Sequence, residues 1–417
     1  MKDRTTLCSD GLTVRQTLAT FPRNVLILLL FTLLTRISYF MAWPFLSIIL
    51  TRTYQLTPLM IGSLLSTCAL ISVVLGIYGG SLSDHWGRKQ LLVLGCLLAI
   101  IGYAGIALAN SVLIFAIGLL LTGVSFSWID APSRALMSDL LQDQRRRELA
   151  LQIRYFAVNI AAVSGPLIGI TFGLNSQKST FLLTSLSYVP FLLFAFFNIP
   201  AGKLLFSDNA ANKHTEETNI WQVTAIIVRD NIYLVALISS ILCYLVYAQI
   251  ESIVPQYLLM LDATRAVDLV TVILVTNAIT VLVAQVYLVP LLTNTPLGQR
   301  ITIGALIFAV SQLLFWVNDT ASTFWWSLVA VVFSIAEAIL LPNLSILLDR
   351  LAPERYRGAY LGASTLVVLG LSLGPFIGGA LLEWWGKGVF TIMALLCLSI
   401  AILMLINKSK MNLRLDK

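Results

Sequence analysis

Twelve stretches of helical length run through this chain with scarcely a charge among them. They fall near 24–50, 58–79, 90–110, 112–140, 149–173, 180–199, 231–260, 266–292, 301–317, 322–348, 359–382 and 388–407. Most reach the roughly 20 residues that, at about 1.5 Å rise each, cross the hydrocarbon of a bilayer. Short polar turns separate them, so the pattern predicts an all-α membrane protein of twelve transmembrane helices. The longest polar interval, 200–230, carries Lys203, Asp208, Lys213, Glu216 and Glu217 and lies at the middle of the chain. It reads as a linker between two six-helix halves, 23–199 and 231–407, and ends in a short interfacial helix over Ile220–Arg229. Residues 1–22 and 408–417 read as polar tails. The first apolar run is too long for the core of a cleaved signal, and it reads as a retained first span.

The two halves repeat. Pro132-x6-Asp139-x5-Arg145-x-Arg147 recurs as Pro342-x6-Asp349-x5-Arg355-x-Arg357, Gly165-Pro166 as Gly374-Pro375, and Pro44 as Pro255. Duplicated six-helix halves are an organisation of secondary transporters.

Composition narrows the class. The chain is 58% hydrophobic and 11% charged, with a mean hydropathy of +0.88, whereas a soluble domain is about 25% charged. A net charge of +7 would suggest nucleic acid for a soluble protein. Here loop bias and anionic lipid account for it, and no nucleic-acid partner is expected. With a cytoplasmic N-terminus, 21 Lys and Arg fall on the cytoplasmic side and only Arg52, Lys178, Arg265 and Lys387 on the other. Both termini are therefore expected in the cytoplasm. The five cysteines (Cys8, Cys68, Cys96, Cys243, Cys397) form no C-x-x-C pair, and His85 and His214 sit in predicted loops. No metal site or cofactor is expected. A G-x-x-x-x-G-K-[ST] loop is missing from the sequence, which disfavours an ATP-driven pump. A polytopic enzyme or receptor would need clustered catalytic residues or a signalling domain, and neither is evident.

One polar stretch stands out: Gly80-Ser-Leu-Ser-Asp84-His-Trp-Gly87-Arg88-Lys89-Gln-Leu-Leu92. It reads as a hairpin between the second and third runs, with Gly80 and Gly87 free to take positive φ. As G-x-L-x-D-x-x-G-R-K-x-x-L it resembles the loop 2–3 signature of the major facilitator superfamily of secondary transporters. The second copy, near 290–300, is reduced to Thr295-Pro-Leu-Gly-Gln-Arg300, with Asn294 at the aspartate position. The eleventh run holds Gly370-x3-Gly374-Pro375-x2-Gly378-Gly379, and the fifth holds Ala161-x3-Gly165-Pro166-x2-Gly169-Ile170. Small residues at every fourth position let helix backbones approach closely. Both runs resemble the family's antiporter signature, complete on the eleventh and partial on the fifth. Ala336-Glu337-Ala-Ile-Leu-Leu-Pro342 resembles helix 10 of bacterial drug, sugar and peptide exporters of the drug:proton antiporter branch. Asn277-x7-Gln285 and Pro44-Phe-Leu-Ser add to that likeness.

The resemblance covers the whole chain. It implies a monomeric, multi-pass transporter of the bacterial inner membrane, with no cofactor and the proton gradient as its energy source. Such a protein works by alternating access and exports small amphipathic molecules such as drugs, sugars, peptides or siderophores. Uptake or facilitated diffusion of a nutrient is the alternative. The resemblance also implies that Arg88, beside Lys89, pairs with Asp139 while Asp84 faces the start of the eleventh helix, latching the halves. One departure is that the arginine common to helix 4 of these antiporters, four residues before a glycine, is here Leu119 before Gly123.

Five ionisable side chains lie well inside the runs: Arg36, Asp130, Arg134, Glu251 and Glu337. A charge at the bilayer centre costs about 3 kcal/mol or more, so each is expected to face a cavity or a partner. They fall on runs 1, 4, 4, 7 and 10, which line the central cavity in the family resembled. Glu337 lies ~16 Å along its helix from Trp325-Trp326, near the midplane. It is expected to be the proton-titrating carboxylate, with Arg36 or a substrate charge competing for it. Asp130 and Arg134, four apart, are expected to pair. Glu251 precedes Pro255 by four, and Gln249, Asn277 and Gln285 are the remaining polar cavity candidates. Tyr39, Phe40, Trp43, Trp128, Tyr244 and Tyr247 offer aromatic faces to cationic or amphipathic molecules.

Overall fold

The computed structural model describes residues 21–141, 143–172, 177–199, 220–292 and 295–415. Twelve of its helices are long and apolar enough to cross a membrane: α1 (Arg23–Tyr54), α2 (Pro58–Gly76), α3 (Arg88–Ala107), α4 (Val112–Leu140), α5 (Leu149–Gly169), α6 (Lys178–Asn198), α7 (Asn231–Leu261), α8 (Ala266–Leu288), α9 (Leu297–Val317), α10 (Thr323–Leu351), α11 (Arg357–Trp385) and α12 (Gly388–Met411). The twelve-span expectation holds, and the protein is a multi-pass membrane protein. The short helix Ile220–Arg229 precedes α7, and residues 200–219 of the linker lie outside the described residues.

Proline shapes several helices, because its nitrogen cannot donate and its ring crowds the preceding turn. In α1 a 3-10 turn over Trp43–Phe45 forms at Pro44. In α7 the helix is interrupted at Ala248 and Ile253, with Pro255 opening the last segment, Val254–Leu261. In α8 a π turn (Ala284–Leu288) passes into a 3-10 turn (Val289–Leu292).

The expected hairpin after α2 is corrected by the backbone. The helix does not stop at residue 79 but continues to Trp86, and α3 begins at Arg88. Gly80 and His85 are thus helical. The turn is made by Gly87 alone, with φ 98° and ψ 152°. Ser81–Trp86 contains neither proline nor glycine, so nothing local ends the helix before the one residue that reverses it. The side chain of Asp84 lies outside the described residues.

Close contacts group the chain into two compact units. The first covers Met1–Met41, Ile71–Gly165 and Asn175–Lys213; the second covers Ala42–Leu70, Pro166–Leu174 and His214–Lys417. The early part of α2 belongs to the second because it lies against α11. There Gly62 abuts the Pro375 carbonyl, Ser66 Oγ accepts from Phe376 N–H at 2.9 Å, and Glu383 accepts from Leu59 N–H at 2.9 Å.

Each unit has its own aromatic core. In the first, Phe31 stacks on Phe191 at 4.8 Å, and Tyr103 on Tyr188 at 5.6 Å. In the second, Phe315 is in ring contact with Phe333, Phe390 and Trp326, and all four are fully buried. Large apolar side chains such as Phe197, Leu291 and Ile406 are exposed, as a surface against hydrocarbon requires. Trp325, Trp384 and Trp385 are exposed near helix ends, where amphipathic indoles favour the interface.

The continuous helix Gly388–Leu415 carries α12 beyond the span to a clamp in the second unit. Arg414 donates to both oxygens of Asp230, each at 2.7 Å, and to the Leu351 carbonyl at 2.7 Å. Tyr360 OH and Tyr233 N–H also donate to Asp230, at 2.9 and 3.1 Å. Desolvation works to raise the Asp230 pKa, but the Arg414 bonds, the Tyr233 N–H and the Tyr360 hydroxyl together hold it below the usual aspartate value.

Candidate functional site

In the first unit, α1, α4 and α5 converge on one carboxylate. Asp130 Oδ1 accepts from Arg36 at 2.5 Å and also from Arg154. Asp130 Oδ2 faces Arg134, one turn further on, at 3.1 Å. Three of these side chains are largely buried, with Arg36 and Asp130 15% exposed and Arg154 12%, whereas Arg134 is 52% exposed. The Arg36 guanidinium also lies 4.1 Å from the centroid of Phe126, a cation–π contact. Beside them is a cavity of about 30 Å³, lined by Thr35, Arg36, Asp130, Ser133 and Arg154 among others.

Two expectations change here. Arg36 is bonded to Asp130, so it is committed to a carboxylate other than Glu337. Arg154, one of the 21 Lys and Arg expected on the cytoplasmic side, stands on α5 and is more buried than Arg134. The available signal was its place five residues into the fifth apolar run. Nothing local pointed at Asp130, 24 residues earlier.

In the second unit the chemistry is acidic. Glu337 stands midway along the 29-residue helix Thr323–Leu351. Asn277 Nδ2, on α8, donates to Glu337 Oε2 at 2.7 Å and to Ser334 Oγ at 2.9 Å. Ser334 donates in turn to the Ala330 carbonyl at 2.6 Å, which fixes the amide's orientation. The Tyr247 side chain on α7 also bonds Glu337, and the Glu251 charge is close enough to act on it. Glu251 sits in the interrupted part of α7, where the Trp43 side chain bonds its carboxylate. Among the described residues neither acid forms an ion pair.

The other polar candidates separate by position. Gln249 is 1% exposed and works as a helix tie, its amide nitrogen donating to the Leu245 carbonyl at 2.6 Å and to the Gly374 carbonyl at 3.1 Å. Gln285 is half-buried in the π turn of α8. The glycines of α11 meet α7 and α2 directly. A Cβ on Gly370 would strike Ile241, on Gly374 Ala248, on Gly378 Gln249 and Ile253, and on Gly379 the Pro58 carbonyl. Pro375 lies within that helix. On α5, Gly165 touches Phe40 and the backbone of Ile37 and Met41, followed by Pro166 within the helix and a buried Gly169.

At the α2–α3 turn, Arg88 forms an ion pair with Asp139 near the end of α4. Lys89 lies 5.6 Å from the Phe196 ring centroid. In the second copy of the motif Asn294 is outside the described residues, and Arg300 Nε donates to the Thr295 carbonyl at 2.7 Å. Among the described residues no group of His, Cys, Asp and Glu is placed to hold a metal ion.

Comparison with known proteins follows the same lines. The family model described as Major Facilitator Superfamily matches residues 28–368 and 301–415. The Na(+), Li(+), K(+)/H(+) antiporter of Planococcus maritimus is 25% identical over 379 residues, 84% of this chain and 87% of that protein. Multidrug resistance protein MdtH of Escherichia coli O157:H7 (strain EC4115 / EHEC) is 26% identical over 373 residues, 87% of each. The crystal structure of peptide transporter POT in complex with sulfate superposes with a TM-score of 0.75 over 96% of this chain and 99% of that one, at 16% identity. At that identity the likeness is one of fold.

Proposed function

The chain belongs to the major facilitator superfamily and is a secondary transporter, and from that premise we propose that it exports small amphipathic molecules across the bacterial inner membrane in exchange for protons. The observation that carries this reading is Glu337. It is a carboxylate at the middle of a spanning helix, held by the neutral donors Asn277 and Tyr247 and without an ion pair among the described residues. A carboxylate so held can take up and release a proton without breaking a salt bridge, which is what coupling demands of it. The relatives named as a cation/proton antiporter and as a multidrug resistance protein support exchange and export. Arg88 and Asp139 form the cytoplasmic latch in this reading, broken and remade as the protein alternates. Both termini lie in the cytoplasm. Uptake or facilitated diffusion has one observation in its favour, the incomplete signature on α5, where Ala161 and Ile170 stand in place of glycines.

The test uses everted membrane vesicles containing the protein, energised and then given dyes, peptides and sugars one at a time, with internal pH read by a fluorescent probe. Proton release on adding one compound, lost in Glu337→Gln, is the expected result. Equilibrating uptake of a compound with no proton movement would establish a facilitator and return Glu337 to a structural role.

A further inference from the structure

We propose that the small cavity of the first unit binds a carboxylate, so that the molecules this protein moves are organic acids or zwitterions. The proposal rests on the transport reading above and names its substrate class. It is carried by charge, by donors left over, and by size.

Arg36, Arg134 and Arg154 all bond Asp130. Among the described residues three guanidiniums share one carboxylate, and two of them, on Arg36 and Arg154, are largely buried inside the spans, where an uncompensated charge is expensive. Arginine stays protonated at any accessible pH, so this charge cannot be removed by losing a proton. A bound anion would compensate it.

The donors tell the same story. A guanidinium has five N–H groups, and Asp130 has only two oxygens to share among three of them. Arg154 Nε is buried and makes no hydrogen bond among the described residues, and the same holds for Ser133 Oγ, on a side chain 3% exposed. Both residues line the cavity that Arg36 and Asp130 also line. Two buried donors without acceptors beside a positive excess are what an oxyanion site presents, and a guanidinium fork matches a carboxylate's two oxygens.

The cavity is small, about 30 Å³, roughly two water-sized volumes. A planar carboxylate is the most compact oxyanion head that pairs with a guanidinium fork. The rings of Tyr39 and Phe126, 5.8 Å apart at its wall, offer an apolar surface to the rest of the molecule.

The experiment measures thermal unfolding of the full-length protein in detergent, without a gradient and at constant ionic strength. Benzoate and indole-3-acetate are each compared with their own amides, and phenylphosphonate is added as a phosphoryl probe. A saturable rise in the unfolding midpoint with at least one acid, and none with its amide, is expected. The apparent affinity should fall about tenfold in Arg154→Gln, which loses the charge and the Nε donor, and about threefold in Ser133→Ala, which loses one donor. Ser133→Ala keeps every charge, so it remains readable even if Arg154→Gln fails to fold. The proposal is overturned if no acid acts beyond its amide, if the effect is undiminished in the variants that fold, or if phenylphosphonate alone stabilises. Binding is read here without proton movement. An acid that binds while the vesicle assay finds no antiport therefore removes only the coupling reading. Antiport of other compounds with no acid binding removes only this one.

Discussion

The two units solve the problem of intramembrane charge in opposite ways. In the first, Asp130 is surrounded by three arginines. In the second, Glu337 and Glu251 are held by an amide, a phenol and an indole, and no base pairs with either among the described residues. A permanently charged cluster can attract and orient an ion but cannot change its own charge. A carboxylate among neutral donors can be charged or neutral at little structural cost. In the reading proposed above, the first unit anchors the ligand and the second switches.

The sharpest way to break that contrast is to neutralise the acid on each side. Asp130→Asn should cost about 3–5 kcal/mol, because it strands three arginines that have lost their counter-charge, and thermal unfolding in detergent would show it. A variant as stable as the parent would mean that water or lipid already neutralises the arginines. Glu337→Gln should cost under about 1 kcal/mol, since the Asn277 contact can be remade to an amide, while proton-driven flux disappears. Comparable destabilisation by the two changes would erase the distinction.

Packing predictions come next in size. Gly378→Ala places a methyl against Gln249 and Ile253, an overpacking worth about 1–3 kcal/mol. An unchanged unfolding midpoint would show that α7 and α11 have more slack than their contact suggests.

The Asp230–Arg414 clamp carries the pH prediction outside the spans. Its folded-state pKa is depressed, so its contribution is complete above the unfolded aspartate value, about 4, and is lost as pH falls below that. Asp230→Asn should remove about 1–2 kcal/mol at neutral pH and flatten the acid limb of the stability profile. A profile that keeps its acid limb would place that titration elsewhere. The smallest stability effect is expected for Arg88→Ala, within about 1 kcal/mol because the pair is partly exposed, although flux should drop. Normal flux would remove Arg88 and Asp139 from any gating role.

Much of the architecture was legible in the chain before any coordinates. Apolar runs of bilayer length predicted twelve spans because backbone hydrogen bonds in hydrocarbon must be met within the segment, and only a helix does that locally. The small-residue ladder on α11 announced a close contact for the same local reason. Glu337 could be singled out because a charge in the middle of an apolar run has a known cost. The turn at residues 80–87 was not legible, since polarity alone suggests a loop, whereas a polar segment without a breaker extends its helix until Gly87. Arg154 was passed over because its neighbours are loop arginines, and its partner lies on another helix.

The sequence by itself therefore determined the elements, their number and the residues too costly to leave unpartnered. Only the tertiary structure decided the partners. Arg36 and Asp130 are 94 residues apart and Asn277 and Glu337 are 60 apart. Such pairs form because packing turns particular helix faces toward each other, and a periodicity that repeats within each helix carries no information about which faces those are.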